Sequence, residues 1–434
     1  MANGLMSDLE AAETAADDSS ILRRRPWSVA ALAGSFAFAV STFSDAIGSG
    51  RIGVDFGVFH AAGTTINQDG YDVVYDPTRF SQFFAEEYFP TFEVEGSVTF
   101  FINPPPFGWL AQALTVLPFE LSLLVWSIVG LAAIVPACRV LGLPAWAPLA
   151  VAVSPMAVQT LRIGQTGLFV FVLFAFLHEA HRRENDLAAG VLAGLLILKP
   201  PLAIGYGILW LLGGRRHVRS IVVAAITGLV VSLPTLVAGL QPWQAYFGVL
   251  SERTDIESAW TGQSLSLAEF IKLLTPGAST TTTFISWGLG LALGFLVLGY
   301  AKRRFGDDPV LMSAIAALVT VIASPHLLLY DSLLLVIPVA VAWQRGVLKG
   351  ERFSMLATIL VVALVLGPIV FPEQIARFGR AIGLEFPALI VCAVLLGRWS
   401  FRTTAGESVE EPRGGESELS PATRDIGESL NRRW

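Results

Sequence analysis

Asp55, Arg162, Gln165, Lys199 and His326 interrupt long apolar stretches of this sequence, and these are the residue types that could do chemistry in it. Asp55 follows the first apolar run. Arg162 and Gln165 lie in LRIGQTG, Lys199 in LILKPP, and His326 with Tyr330 and Asp331 in ASPHLLLYD. A deprotonated carboxylate can take a proton from an attacking hydroxyl. Cations and amide donors can hold a phosphate and stabilise it as it departs with developing charge. Each residue also has a plainer role open to it: Asp55 can favour a helix N-terminus through the dipole. Lys199 can snorkel to an interface, His326 can be a satisfied loop histidine, and Asp331 can be paired inside a bundle. That a carboxylate, two cations, a histidine and an amide reach one face weakens the plainer roles taken together.

The elements that must position them are hydrophobic helices. Of 434 residues, 53% are hydrophobic and 15% charged, with a mean hydropathy of +0.62. Soluble domains carry about 25% charged residues, so lipid is the solvent this composition suits. The net charge of -6 decides little, and no basic face for nucleic acid is present. Cys138 and Cys392 lie in apolar runs and read as packed or lipid-facing thiols. Apolar segments recur at 27–47, 121–138, 145–161, 166–180, 186–198, 200–213, 219–239, 282–301, 309–323, 327–343, 353–372 and 381–397. A spanning helix needs about 20 apolar residues, fewer where the bilayer thins. Twelve spans with both termini inside place every basic cluster, from Arg23–Arg25 through Arg182-Arg183, Arg215-Arg216-Arg219 and Lys302-Arg303-Arg304 to Arg398 and Arg402, on one cytoplasmic side. The first segment follows Arg23-Arg24-Arg25, lacks an A-x-A-like site and reads as an uncleaved anchor.

The expected architecture is therefore an all-α polytopic membrane protein of about 12 transmembrane helices, multi-pass in the cell membrane. Residues 1–26 and 401–434 read as disordered cytoplasmic extensions flanking a membrane domain over 27–400. Two large loops fall outside, over 48–120 and 240–281. Within the first, Val54 to Asn67 has Phe56, Phe59, Ala62 and Ile66 at helical spacing, which predicts a helix along the membrane surface. Pro104 to Phe119 is apolar, yet counting it as a span inverts every later loop, so it is placed as an interfacial helix opened by prolines. Arg162 and Lys199 then break the positive-inside rule, and charges beside spans are costly and usually functional.

No Walker lysine loop, G-x-S-x-G, C-x-x-C or H-E-x-x-H is present. At the polar residues the sequence resembles the GT-C integral-membrane glycosyltransferases, specifically family 87, the polyprenyl-phosphate-mannose-dependent alpha-mannosyltransferases. The resemblance is carried in order by VDFGVFHAAG around Asp55, GYDVVYDP (Gly70 to Pro77) and INPPPFGWL (Ile102 to Leu110, with Asn103). GQTG at Gly164, LKPP at Lys199 and SPHLLLYD at Ser324 follow. It implies a GT-C-like bundle with interfacial helices in the first extracytoplasmic loop and an active site on the extracytoplasmic face. It also implies a polyprenyl-phosphate-linked sugar donor and an inverting transfer to a glycan or glycolipid acceptor, with Asp55 as base. His326 and Lys199 match positions that suggest contact with the donor phosphate; Gln165 and Arg162 follow, with Asn103, Tyr330 and Asp331 as further substrate-binding candidates. His60 stands where the family often has a tyrosine, and Phe83–Val98 is longer and more acidic than the family suggests, both of which bear on acceptor choice. No cofactor is implied, and no metal is needed where fixed cations hold the phosphate, although the acidic loop leaves room for one. A flippase of lipid-linked sugars, or a non-catalytic scaffold of envelope assembly, are the rival readings. Transporters place binding residues near the midplane in repeated halves, whereas here they gather at outer ends and no internal repeat is found.

Overall fold

The computed structural model of the protein describes residues 26–49, 52–88, 101–256, 266–274, 280–325 and 327–348, together with 352, 355, 356, 358 and 359. Among the described residues there are helices and no strands. The first is α1 (Pro26–Ser49), followed by the surface helices α2 (Val54–Asp69), α3 (Tyr71–Val74), α4 (Pro77–Glu87) and α5 (Pro105–Leu114). Next come α6 (Phe119–Val140), α7 (Ala147–Ala152), α8 (Pro155–Ile163), α9 (Gly167–Arg182) and α10 (Asp186–Gly194). The chain continues through α11 (Ile204–Gly213), α12 (Val218–Val237), α13 (Gln241–Ile256), α14 (Leu267–Leu274), α15 (Thr280–Phe305), α16 (Pro309–Ala323) and α17 (Val336–Gln344).

The places where the predicted spans break have local causes. The segment expected over 145–161 divides at Ser154, whose hydroxyl accepts from the Ala157 amide as a cap, with Pro155 at the first helical position. Around Lys199 the chain forms two 3-10 turns, Leu195–Leu198 and Pro200–Ala203, because Pro200 and Pro201 supply no amide to continue a helix. Another 3-10 turn, Leu329–Leu335, precedes α17.

Three helical segments are long and apolar enough to cross a membrane: Phe119–Val140, Pro200–Val237 and Thr281–Phe305. The second is divided by Gly214, whose φ of +59° turns the backbone where the basic residues lie. Shorter apolar helices include Asp186–Leu198, Pro309–Ala323 and Leu329–Gln344. So a dozen separate full-length spans are not seen among the described residues. The span expected at 381–397 and nearly all of 353–372 lie outside them, as do 1–25 and 401–434.

The outer faces identify the solvent. On α6, Leu121, Leu124, Val125, Ile128 and Val129 are each 44–55% exposed and recur at helical spacing. Similar stripes run along α12 and α15. Water-soluble proteins rarely expose apolar faces of this extent; against hydrocarbon they are the natural surface.

Inside are two hydrophobic cores. The larger centres on α9 and α16, where Phe171, Phe174, Leu177, Ala316 and Val319 are fully buried. Cys138 is buried there as a free thiol; Cys392 lies outside the described residues. The smaller core belongs to the surface helices, with Phe56, Phe80, Phe84, Phe101 and Phe107 at 0–3% exposure. Burying each such ring contributes roughly 1.5–3 kcal/mol, so this cap has a core of its own. Two glycines bring its main helices together. A Cβ on Gly63 would stand 2.2 Å from the Ala111 carbonyl oxygen, and one on Gly108 would meet the Tyr71 ring. The α2–α5 contact therefore requires glycine at the crossing. With ten residues, about 15 Å long at 1.5 Å per residue, α5 is too short to span, as its interfacial placement requires. It is tied to the bundle by Trp109, whose indole N–H donates to the Val231 carbonyl of α12 at 3.2 Å.

Candidate active site

The site is assembled by two glycine turns. Gly53 precedes α2 with φ +73°, and its amide donates to the Arg162 carbonyl at 2.7 Å. Gly164 ends α8 with φ +73°, and a Cβ on it would lie 2.4 Å from the Phe56 Cβ. Left-handed backbone is cheap for glycine alone. These turns press the start of α2 against the α8–α9 connection.

That contact brings Asp55 to Gln165, whose Nε2 donates to the Asp55 carboxylate at 3.0 Å. The amide is oriented by its other end, because Oε1 accepts from the Thr166 backbone N–H at 2.9 Å and so leaves the NH2 group facing Asp55. The Trp126 indole donates to the Gln165 carbonyl at 3.4 Å and holds the turn from α6.

On the far side of the same turn, a Cβ on Gly167 would stand 2.7 Å from the Tyr330 carbonyl oxygen. The turn that carries Tyr330 and Asp331 thus lies against the N-terminus of α9. Asp331, 2% exposed, accepts from the Lys199 ammonium at 2.5 Å, and that ammonium sits 4.8 Å from the centre of the Tyr330 ring. Lys199 reaches this position because the two 3-10 turns flanking it interrupt the helix there.

Asp55 keeps intermediate accessibility as a residue. Burial pushes its pKa up to about 6, and the Gln165 hydrogen bond and the nearby charges of Lys199 and Arg162 pull it back down. Five of the residues singled out in the sequence, Asp55, Arg162, Gln165, Lys199 and Asp331, therefore form one connected electrostatic unit, with Tyr330 beneath Lys199.

The others fall differently. His60 is buried in the cap, its Nδ1 2.7 Å from the Tyr88 hydroxyl and its Nε2 3.0 Å from the Leu117 carbonyl. Both ring nitrogens are used within the cap. Asn103 lies before α5, and its carbonyl accepts from the Tyr75 hydroxyl at 2.7 Å. His326 lies outside the described residues, between Pro325 and Leu327. Thr166 and Gly53 went unnoticed as functional positions in the sequence; the glycine directly before VDF was the available signal. Among the described residues no group of three His, Cys, Asp or Glu side chains is placed to hold a metal ion.

The family model described as glycosyltransferase family 87 matches residues 101–325, slightly more than half of the chain. The match takes in Arg162, Gln165 and Lys199 and leaves Asp55 and Asp331 outside it. No curated protein and no solved structure matches.

Proposed function

The chain belongs to glycosyltransferase family 87, and from that premise and the geometry above we propose that it moves a sugar from a polyprenyl-phosphate donor to an extracytoplasmic glycan or glycolipid, with Asp55 as general base. It is a glycosyltransferase with membrane helices; mannose is the donor sugar that the sequence resemblance favours. The observation that carries the reading is the Asp55–Gln165 hydrogen bond in electrostatic reach of Lys199 and Arg162.

In the proposed reaction the Asp55 carboxylate accepts the proton of an acceptor hydroxyl, and the oxygen attacks the anomeric carbon. The bond from that carbon to the donor phosphate oxygen breaks, and its electron pair leaves with the phosphate. Attack opposite the leaving group inverts the anomeric centre. A base works best with a pKa near the operating pH, and a value of about 6 leaves Asp55 largely ionised at pH 7. Lys199 and Arg162 would stabilise the charge that grows on the departing phosphate. Binding that phosphate also offsets the two charges that lower the Asp55 pKa, so the donor strengthens the base it requires. His326 is proposed as a further phosphate contact, and Asn103 as a substrate contact at the edge of the cap. His60, bonded internally, would act on acceptor choice through the position of the cap. The twelve-span GT-C bundle and an outward-facing site belong to the same proposal; the charge distribution supports both.

Incubating the purified protein with a panel of polyprenyl-phosphate sugars, with detection of released lipid phosphate, tests the reading. Release with mannose or another single sugar, dependent on added acceptor, is expected. No release from any donor with any glycan or glycolipid acceptor would contradict it.

A further inference from the structure

At the other end of α9 a second polar recess is built from three turns that the proposed transfer does not use. His181 stands 14 residues along α9 from Gly167, roughly 21 Å at 1.5 Å per residue. A cavity of about 70 Å³ there is lined by His181, Glu184, Arg216 and His217, and it adjoins a smaller one lined also by Lys302 and Asp307. A single water needs about 10–15 Å³, so a larger polar group fits.

Both imidazoles are 8% exposed, with ring centres 5.3 Å apart. Both rings line the cavity and make ring contacts with each other and with Tyr206 or Trp210. A neutral imidazole presents one N–H donor. Both cations have acidic partners nearby, and Lys302 also donates to the Leu212 carbonyl at 2.8 Å. Arg216 lies 3.0 Å from Glu184 and 4.0 Å from Asp307, and Lys302 lies 3.3 Å from Asp307. Those carboxylates are 64% and 56% exposed, and such surface pairs are worth about 0–1 kcal/mol. The remaining carboxylate, Asp186, already accepts from the Ser220 hydroxyl at 2.7 Å. No metal-holding group is present among the described residues.

We propose that this recess is a second ligand site, for a phosphate group, with Arg216 and Lys302 turning from their exposed partners onto its oxygens and the two imidazoles donating from within. A cluster of this kind between helix ends suits the phosphate of an anionic lipid headgroup or free phosphate. By the charge rule this end faces the cytoplasm, so the ligand is distinct from the lipid-phosphate donor proposed above.

The full-length protein in detergent is titrated with inorganic phosphate by 31P NMR. Separately it is released for native mass spectrometry from phosphatidylcholine vesicles with and without phosphatidylglycerol. At least one of the two ligands is expected to bind the unaltered protein. Phosphatidylglycerol alone identifies a headgroup, inorganic phosphate alone a soluble ligand, and both a site for phosphate as such. The Arg216→Gln, Lys302→Gln double variant is expected to bind at least tenfold more weakly, while Arg303→Gln, off the recess, is unchanged. Binding of neither ligand by the unaltered protein overturns the proposal whatever the variants do. So does a loss below tenfold in the double variant, or an equal loss in Arg303→Gln.

Discussion

At the scale of single residues the site turns on the competing influences at Asp55. Burial favours its protonated form, whereas Gln165, Lys199 and Arg162 favour the carboxylate. An aspartate in water titrates near 3.9. Because the base must be ionised, kcat/KM is expected to fall as pH drops through about 6, two units above the limb of an ordinary aspartate. Gln165→Leu removes an interaction that lowers this pKa, so the acid limb of the pH profile should move to higher pH. Lys199→Met should move it the same way and also slow the departure of the phosphate. That substitution alone strands Asp331 at 2% exposure, and breaking such a pair is strongly destabilising. The double variant Lys199→Met, Asp331→Leu is expected to recover thermal stability without recovering turnover.

At the scale of elements, the site depends on backbone approaches that only glycine allows. Gly164→Ala places a methyl 2.4 Å from the Phe56 Cβ at a φ of +73°, where an L-residue costs about 1–2 kcal/mol before any clash. Its melting temperature should fall, and turnover should fall further than stability does, because the turn also carries Gln165. Gly205→Ala offers the contrast. Its methyl would stand 1.9 Å from the Ala316 carbonyl between α11 and α16, so a loss of stability is expected there with no shift in the pH profile. How far such features are legible in sequence follows from their range. Periodicity placed α2, the charge pattern kept the short α5 from being counted as a span, and α16 occupies Pro309–Ala323 as the apolar run indicated. The break at Ser154 was missed although Ser154-Pro155 carries a cap signal, because apolar residues continue on both sides of it. The Lys199–Asp331 pair joins residues 132 apart. Charge sorting put both at one end of the bundle, but only the fold shows which partner each takes. His60 illustrates the reverse: its Tyr88 and Leu117 partners lie 28 and 57 residues away, so nothing local marked it as internally satisfied.

For the whole molecule, the turns fall into two sets at opposite ends of α9, one with Asp55, Gln165 and Lys199, the other with His181, Arg216 and Lys302. Cysteine labelling tests which set faces the cytoplasm. In a background lacking Cys138 and Cys392, Gln82→Cys on α4 should react with an impermeant maleimide in intact cells, and Arg303→Cys only after permeabilisation. The reverse pattern would put the proposed catalytic end inside. The most direct test of the central claim is turnover and donor binding by Asp55→Asn, measured against the unaltered protein with the donor it uses. The amide keeps the size of the side chain and cannot accept the proton, so donor affinity and melting temperature should be retained while kcat falls about 10²–10⁴-fold. Turnover within tenfold of the unaltered protein, with the fold intact, would contradict the assignment of Asp55 as the base.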